Sequence, residues 1–184
     1  MSDSLQEHRA DLAAAFRWAV RLNYHEGVAN HFSVAINNSG SQFLINPNQR
    51  HFSTIKASDL ILLDACNQDT MSQTNAPDPT AWGLHGAVHR HCPHARCVLH
   101  AHSIFSTVLA CLKDPRLPVI DQNTAQFHNR VVLDTGFDGM AFIEEGERCA
   151  AMLSDPSKNV MLMSNHGVMV LGSSVADAFN RLFY

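Results

Sequence analysis

The stretch Val98-Leu99-His100-Ala101-His102-Ser103 closes a short apolar run with two histidines one residue apart. Alternate residues of a strand point to the same face, so His100 and His102 can aim two imidazoles at one point. Asn165-His166-Gly167 stands between two more apolar runs, 159–164 and 168–171, and offers a third ring from a strand end. A lone H-x-H reads more simply as two hydrogen-bonded polar residues at the rim of a sheet. With a third histidine in the same kind of context, the set reads as a metal centre. Three neutral imidazoles suit a borderline divalent ion, zinc first, with iron, manganese or cobalt as chemical substitutes. They leave positions open for a water or a substrate oxygen, the pattern of catalytic rather than structural zinc.

The surrounding sequence alternates helical and strand patterns. Ser4-Leu5-Gln6-Glu7 has the form of a capping box, and Leu12, Phe16, Ala19 and Val20 follow at helical spacing, which predicts a helix over 5–24. Residues 31–36 and 42–46 flank the turn cluster Asn37-Asn38-Ser39-Gly40 and predict a hairpin. Leu60-Ile61-Leu62-Leu63-Asp64 reads as a strand buried on both faces. Asp78-Pro79 opens a helix carrying Trp82, His85, Val88 and His89 until Cys92-Pro93 stops it. Strands are expected at 96–100, 130–133, 159–164 and 168–171, and helices at 103–112, 121–127, 144–153 and from Ser174 to the end. A hairpin set among such helices implies an α/β fold with a mixed or antiparallel sheet and helices on its faces.

The bulk numbers exclude several classes. A chain of 184 residues with 46% hydrophobic and 16% charged residues describes one ordinary globular domain. A net charge of −4 gives no electrostatic case for nucleic acid or an anionic membrane. No apolar run approaches the roughly 20 residues of a membrane span, and the polar start Met1-Ser2-Asp3-Ser4 has no signal-peptide order. The expectation is a cytoplasmic protein whose five cysteines are reduced and mostly buried. The helical pattern still running at Tyr184 suggests a short or truncated C-terminus. The twelve histidines are the unusual quantity, and seven of them fall between His85 and His128.

Other candidates are less definite. His85 and His89 share a helix face at i, i+4, but without the Glu of an H-E-x-x-H pattern they read as pocket-lining or supporting residues rather than primary ligands. His8, His91 and His94 read as surface residues; His25, His31, His51 and His128 fall in loops or at strand edges where they could line a pocket. The segments Glu26-Gly27-Val28-Ala29-Asn30 and Asn46-Pro47-Asn48 are anion-site candidates that also read as plain turns. There is no P-loop, G-x-G-x-x-G or G-x-S-x-G motif.

Taken in order, the G-x-x-x-N turn and hairpin (Gly27 to Asn46), the Pro-Thr-x-Trp helix start (Pro79 to Trp82), the H-x-H strand end and the late N-H-G resemble the class II aldolase/adducin family over nearly the whole chain. The resemblance implies a three-layer α/β/α unit with a largely antiparallel central sheet. It implies zinc bound by His100, His102 and His166, and a homotetramer with the site near a subunit interface. By the same resemblance, Asn30, Asn46 and Thr80 fall where substrate is held. Two departures matter. The sugar-phosphate aldolases of the family carry an acid where this chain has Ala81, and much of their phosphate cradle is replaced by Pro79-Thr80 and Asn46-Pro47-Asn48. The chain therefore looks closer to the family's bacterial adducin-like branch, with His85, Glu26 or a group from an adjoining subunit as substitutes for the missing acid. The implied activity is a metal-dependent lyase, cleaving or decarboxylating a small hydroxy-carbonyl or hydroxy-acid compound. The competing readings are a non-catalytic assembly module like the adducin head, and iron-based oxygen chemistry, which more typically uses two histidines and a carboxylate.

Overall fold

The computed structural model describes residues 2–136 and 143–184. Helix α1 (Ser2–Arg21) leads to the hairpin β1 (His31–Ala35) and β2 (Gln42–Ile45), then β3 (Ile61–Asp64). Helix α2 (Pro79–His91) precedes β4 (Cys97–Ala101), α3 (Ile104–Ala110) and the short α4 (Gln122–Ala125). β5 (Val131–Asp134), α5 (Ile143–Met152), β6 (Val160–Met163), β7 (Gly167–Gly172) and α6 (Val175–Phe183) complete the order. Seven strands form one sheet in the order β3-β2-β1-β4-β7-β6-β5. Every pairing is antiparallel except β5 with β6.

Strand alternation divides the core into two apolar layers. Phe32 and Val34 of β1 and Cys97, Leu99 and Ala101 of β4 pack with Leu12, Phe16 and Ala19 of α1 and with Val175 and Ala178 of α6. Val98 of β4 and Met169 and Leu171 of β7 pack the opposite way, against Leu84 and Val88 of α2 and Cys149 and Leu153 of α5. The helix–sheet–helix layering and largely antiparallel sheet match the expected fold class. The alternation also sends His31, Ser33 and His100 to the α2 side. The five cysteines are free; Cys92, Cys97 and Cys149 are buried.

Several local expectations are corrected. α1 starts at Ser2, so Ser4 is inside the helix rather than capping it. The helix ends at Arg21, with Asn23 at φ 58° turning the chain away. β3 is an edge strand whose burial alternates, with Ile61 and Leu63 buried and Leu62 and Asp64 half-exposed. Its apolar run arises because Leu62 still packs against the α1-side core. Ser103 stands at the N-cap of α3 without a side-chain capping bond, its hydroxyl lying 2.6 Å from that of Ser106. His8 and His94 are half-buried rather than surface residues, whereas His91 is exposed and lies 2.9 Å from Glu147.

Candidate metal centre

β4 lies at the middle of the sheet, between β1 and β7, and delivers His100 as a buried residue just before the strand ends. His102 lies one residue past the strand, and His166 sits in the tight β6–β7 turn, where Asn165 takes φ 56°. Asparagine tolerates that left-handed conformation better than most residues. The turn is tied down by Asn165 N–H donating to the Ala110 carbonyl (3.1 Å) and His166 N–H donating to Met163 (3.0 Å). Gly167 has a packing reason: a Cβ there would come within 2.7 Å of both the Ala101 carbonyl oxygen and the His102 ring. Any larger residue would drive β7 away from β4.

The three rings converge. Centroids of His100, His102 and His166 are 4.7–4.9 Å apart, and one ligand nitrogen from each falls within 4.8 Å of the other two. The Nε2 atoms of His100 and His102 face one another at 3.0 Å. A tetrahedral zinc with bonds of about 2.0–2.1 Å needs donor nitrogens about 3.3–3.4 Å apart, so small ring movements would suffice to hold such an ion. Glu26 lies behind His102, with a carboxylate oxygen 2.5 Å from Nδ1. That contact keeps the proton on Nδ1 and turns the Nε2 lone pair toward the other two rings, the usual support for a metal-binding imidazole. Burial, then the neighbouring histidines, holds His100 well below the ordinary histidine pKa; His166 is held at about 4, again chiefly by burial. Both present neutral lone pairs at neutral pH. The donor set fits a borderline divalent ion.

A cavity of about 270 Å³ is lined by Asn30, His31, Asn46, Asp78, Thr80 and Ala81, among others; none of the three triad histidines lines it, and it reaches them through the His31 ring, which stacks on His100. Asn30 is 2% exposed; its Oδ1 accepts from the Glu26 N–H at 2.6 Å, while its buried Nδ2 has no partner. Asn46 is largely committed to the hairpin, accepting from the Phe32 N–H (3.0 Å) and donating to the Asn30 carbonyl (3.2 Å). Thr80 lines the cavity, but its hydroxyl donates to Asp78, which caps α2. Ala81 is fully buried, so no carboxylate reaches the cavity from that position. Another cavity, of about 240 Å³, lies on the α6 side, lined largely by apolar residues such as Leu109, Phe127 and Leu162.

His85 does not reach the cavity as a free catalytic group. It is fully buried, with Nε2 2.7 Å from His31 Nδ1 and Nδ1 2.5 Å from the Ser33 hydroxyl. Ser33 also contacts His89 Nε2 at 2.7 Å, and His89 Nδ1 donates to the Ala95 carbonyl at 2.9 Å. The His31 ring stacks on His100 with centroids 4.7 Å apart. His31 lines the cavity, as one of the four pocket candidates in the sequence; Ser33 was not among the candidates, and the signal for it is its shared parity with His31 on β1, opposite the i, i+4 histidines of α2.

A family model described as Class II Aldolase and Adducin N-terminal domain matches residues 10–184. A meiotically up-regulated gene 14 protein of Schizosaccharomyces pombe is 31% identical over 169 residues, covering 91% of this chain and 64% of that protein. Decarboxylase NovR of Streptomyces niveus is 28% identical over 182 residues, covering 96% of this chain and 66% of that protein. The chain thus spans about two thirds of the length of these curated relatives. Among solved structures, an aldolase II superfamily protein from Pseudomonas syringae superposes with a TM-score of 0.88 at 30% identity, over 100% of this chain and 73% of that one.

Proposed function

The chain belongs to the class II aldolase and adducin family, and from that premise we propose that it is a metal-dependent carbon–carbon lyase. Its substrate is a small hydroxy-carbonyl or hydroxy-acid compound, cleaved by an aldol-type step or decarboxylated. The observation that carries this reading is the convergence of His100, His102 and His166 with the Glu26 carboxylate behind His102. These three histidines would hold a divalent ion, most simply zinc, which when bound supplies Lewis-acid polarisation of a substrate oxygen. The remaining work falls to the chain. Glu26 orients His102, and the Asn30 amide offers its buried N–H to a substrate oxygen beside the triad. The Thr80 side of the cavity bounds the substrate away from the triad. With Ala81 in place of a carboxylate, this position contributes no proton transfer, an effect of roughly 10²–10⁴-fold where such a group is present. One relative is named a decarboxylase, which supports the decarboxylation form of this reading. We place the protein in the cytoplasm, as a homo-oligomer, a tetramer on the family pattern.

A second reading, an adducin-like assembly module, is favoured by two observations: Ala81 itself and the apolar surface of α3, where Phe105 is 87% exposed and Ile104 57%. Metal analysis of purified protein, with His100→Ala alongside, separates the two. A lyase carries a stoichiometric divalent metal that His100→Ala loses, and turns over small aldols or hydroxy acids in a chelator-sensitive way. Metal-free protein, or unchanged metal in the variant, ends the lyase reading.

A further inference from the structure

Running back from the cavity wall is a chain of polar groups that the lyase reading leaves without a task. It passes from His31 to His85, Ser33, His89 and the Ala95 carbonyl, with links of 2.7, 2.5, 2.7 and 2.9 Å. Each link needs one donor and one acceptor, and the last link fixes the direction of all the others. A carbonyl oxygen only accepts, so His89 carries its proton on Nδ1. His89 and His85 are 1% and 0% exposed, and none of these links involves a carboxylate, so their rings are neutral. His89 Nε2 is therefore an acceptor and takes the single hydroxyl proton of Ser33. The Ser33 oxygen must then accept from His85 Nδ1–H, which makes His85 Nε2 an acceptor. His31 must donate to it from Nδ1. The nitrogen left over is His31 Nε2, with its lone pair outward from the chain, on a ring that lines the cavity.

We propose that His31 is a ligand-contacting residue locked as a hydrogen-bond acceptor from the Ala95 carbonyl through His89, Ser33 and His85, and that it selects small α-hydroxy acids or hydroxy-carbonyl compounds by accepting their hydroxyl proton. The inference rests on the proposed function for the chemical class of its ligand. His31 contacts the ligand directly; His85, Ser33 and His89 are positioning residues that act through it. The Asn30 amide supplies the complementary donor, since its buried Nδ2 has no partner and its oxygen is held by the Glu26 N–H. A ligand with a hydroxyl next to a carbonyl or carboxylate satisfies both groups at once. A ligand without the hydroxyl proton meets two lone pairs facing each other at His31, which a neutral imidazole with its proton committed elsewhere cannot relieve. The β1–β4 register sets His31 directly opposite His100, so the acceptor is fixed beside the triad by the backbone ladder itself.

The test begins with the tautomers. In protein labelled with ¹⁵N-histidine, two-bond proton–nitrogen correlations at neutral pH should show His31, His85 and His89 each as the single Nδ1–H form, assigned by the peaks lost in His31→Asn, His85→Asn and His89→Gln. A proton on Nε2 at any of the three overturns the proposal. Ser33→Ala removes the group that relays direction, so it should release His31 and His85 into a mixture of tautomers while metal content is retained; a single unchanged tautomer at His31 would show that the chain does not control it. For the ligand, glycolate is compared with methoxyacetate, which differs in lacking the hydroxyl proton. The intact protein should bind glycolate about tenfold more tightly, and Ser33→Ala should shrink that preference. Equal binding by the intact protein overturns the assignment of ligand class. Loss of the lyase reading would appear separately, as absence of metal from protein whose histidine tautomers are as stated.

Discussion

At the scale of single residues, two side chains invite direct measurement. Glu26 is exposed but places a carboxylate oxygen 2.5 Å from His102 Nδ1. Removing such a supporting carboxylate typically weakens metal affinity by 10–100-fold, roughly. Loaded with zinc in vitro, Glu26→Gln is therefore expected to release it to a competing chelator at roughly 10–100-fold lower chelator concentration than the unsubstituted protein, with the fold unchanged by circular dichroism. His89 gives a pH dependence of definite sign. Burial, reinforced by Arg96 and opposed by the Ala95 carbonyl, holds its pKa at about 4 against 6.5 for the free group. The unfolded chain binds the proton more readily, so stability is complete above about pH 6.5 and is lost as the pH falls toward 4, by on the order of 3 kcal/mol from this residue. Urea unfolding of metal-free protein across that range should show the decline, and a flat profile would contradict it. The two residues also differ in legibility. The triad could be read because His100 and His102 stand one residue apart at a strand end and His166 lies in a matching strand-end context. The tie from Glu26 to His102 could not, because it joins positions 76 apart in sequence through a loop.

At the scale of elements, helices α2 and α5 pack on the side of the sheet that holds His85 and His89. Their contact is close: a Cβ at Gly146 would meet the Gly83 carbonyl oxygen at 2.5 Å. Gly146→Ala must push the helices apart and is expected to cost about 1–3 kcal/mol in chemical denaturation despite the better helix propensity of alanine. The hairpin, the α2 boundaries and the strands around His166 were all readable, since turn residues and apolar alternation both marked them. The edge position of β3 was not. Leu60 to Asp64 reads as doubly buried because Leu62 rests on the α1-side core, and an apolar run records contact with a core without recording which neighbours pair with the backbone. The start of α1 escaped for a related reason: Ser4 and Glu7 have capping-box spacing, but a cap depends on the backbone being non-helical there, and it is helical from Ser2.

At the scale of the molecule, several of the exposed large apolar side chains fall within the stretch 104–120. Ile104, Phe105 and Val108 of α3, with Leu112 and Ile120 beyond it, are 53–87% exposed. Exposed apolar patches mark contact surfaces. For the homo-oligomer proposed above, Phe105→Glu is expected to shift the protein toward smaller species in sedimentation velocity without changing its metal content; an unaltered distribution would rule this stretch out as the contact between copies. None of the helices among the described residues is long and apolar enough to cross a membrane.

The placement of the triad in the sheet has a kinetic consequence. His100 belongs to the central strand, paired on both sides, whereas His102 and His166 belong to a strand exit and a turn. Strand exits and turns open locally at small cost, while a central strand comes apart only with the whole fold. An ion bound there would leave by unlacing, the His102 and His166 arms slipping off first while His100 keeps its grip. Its residence time would follow the fraying of one loop and one turn, and the fold would outlast many such exchanges.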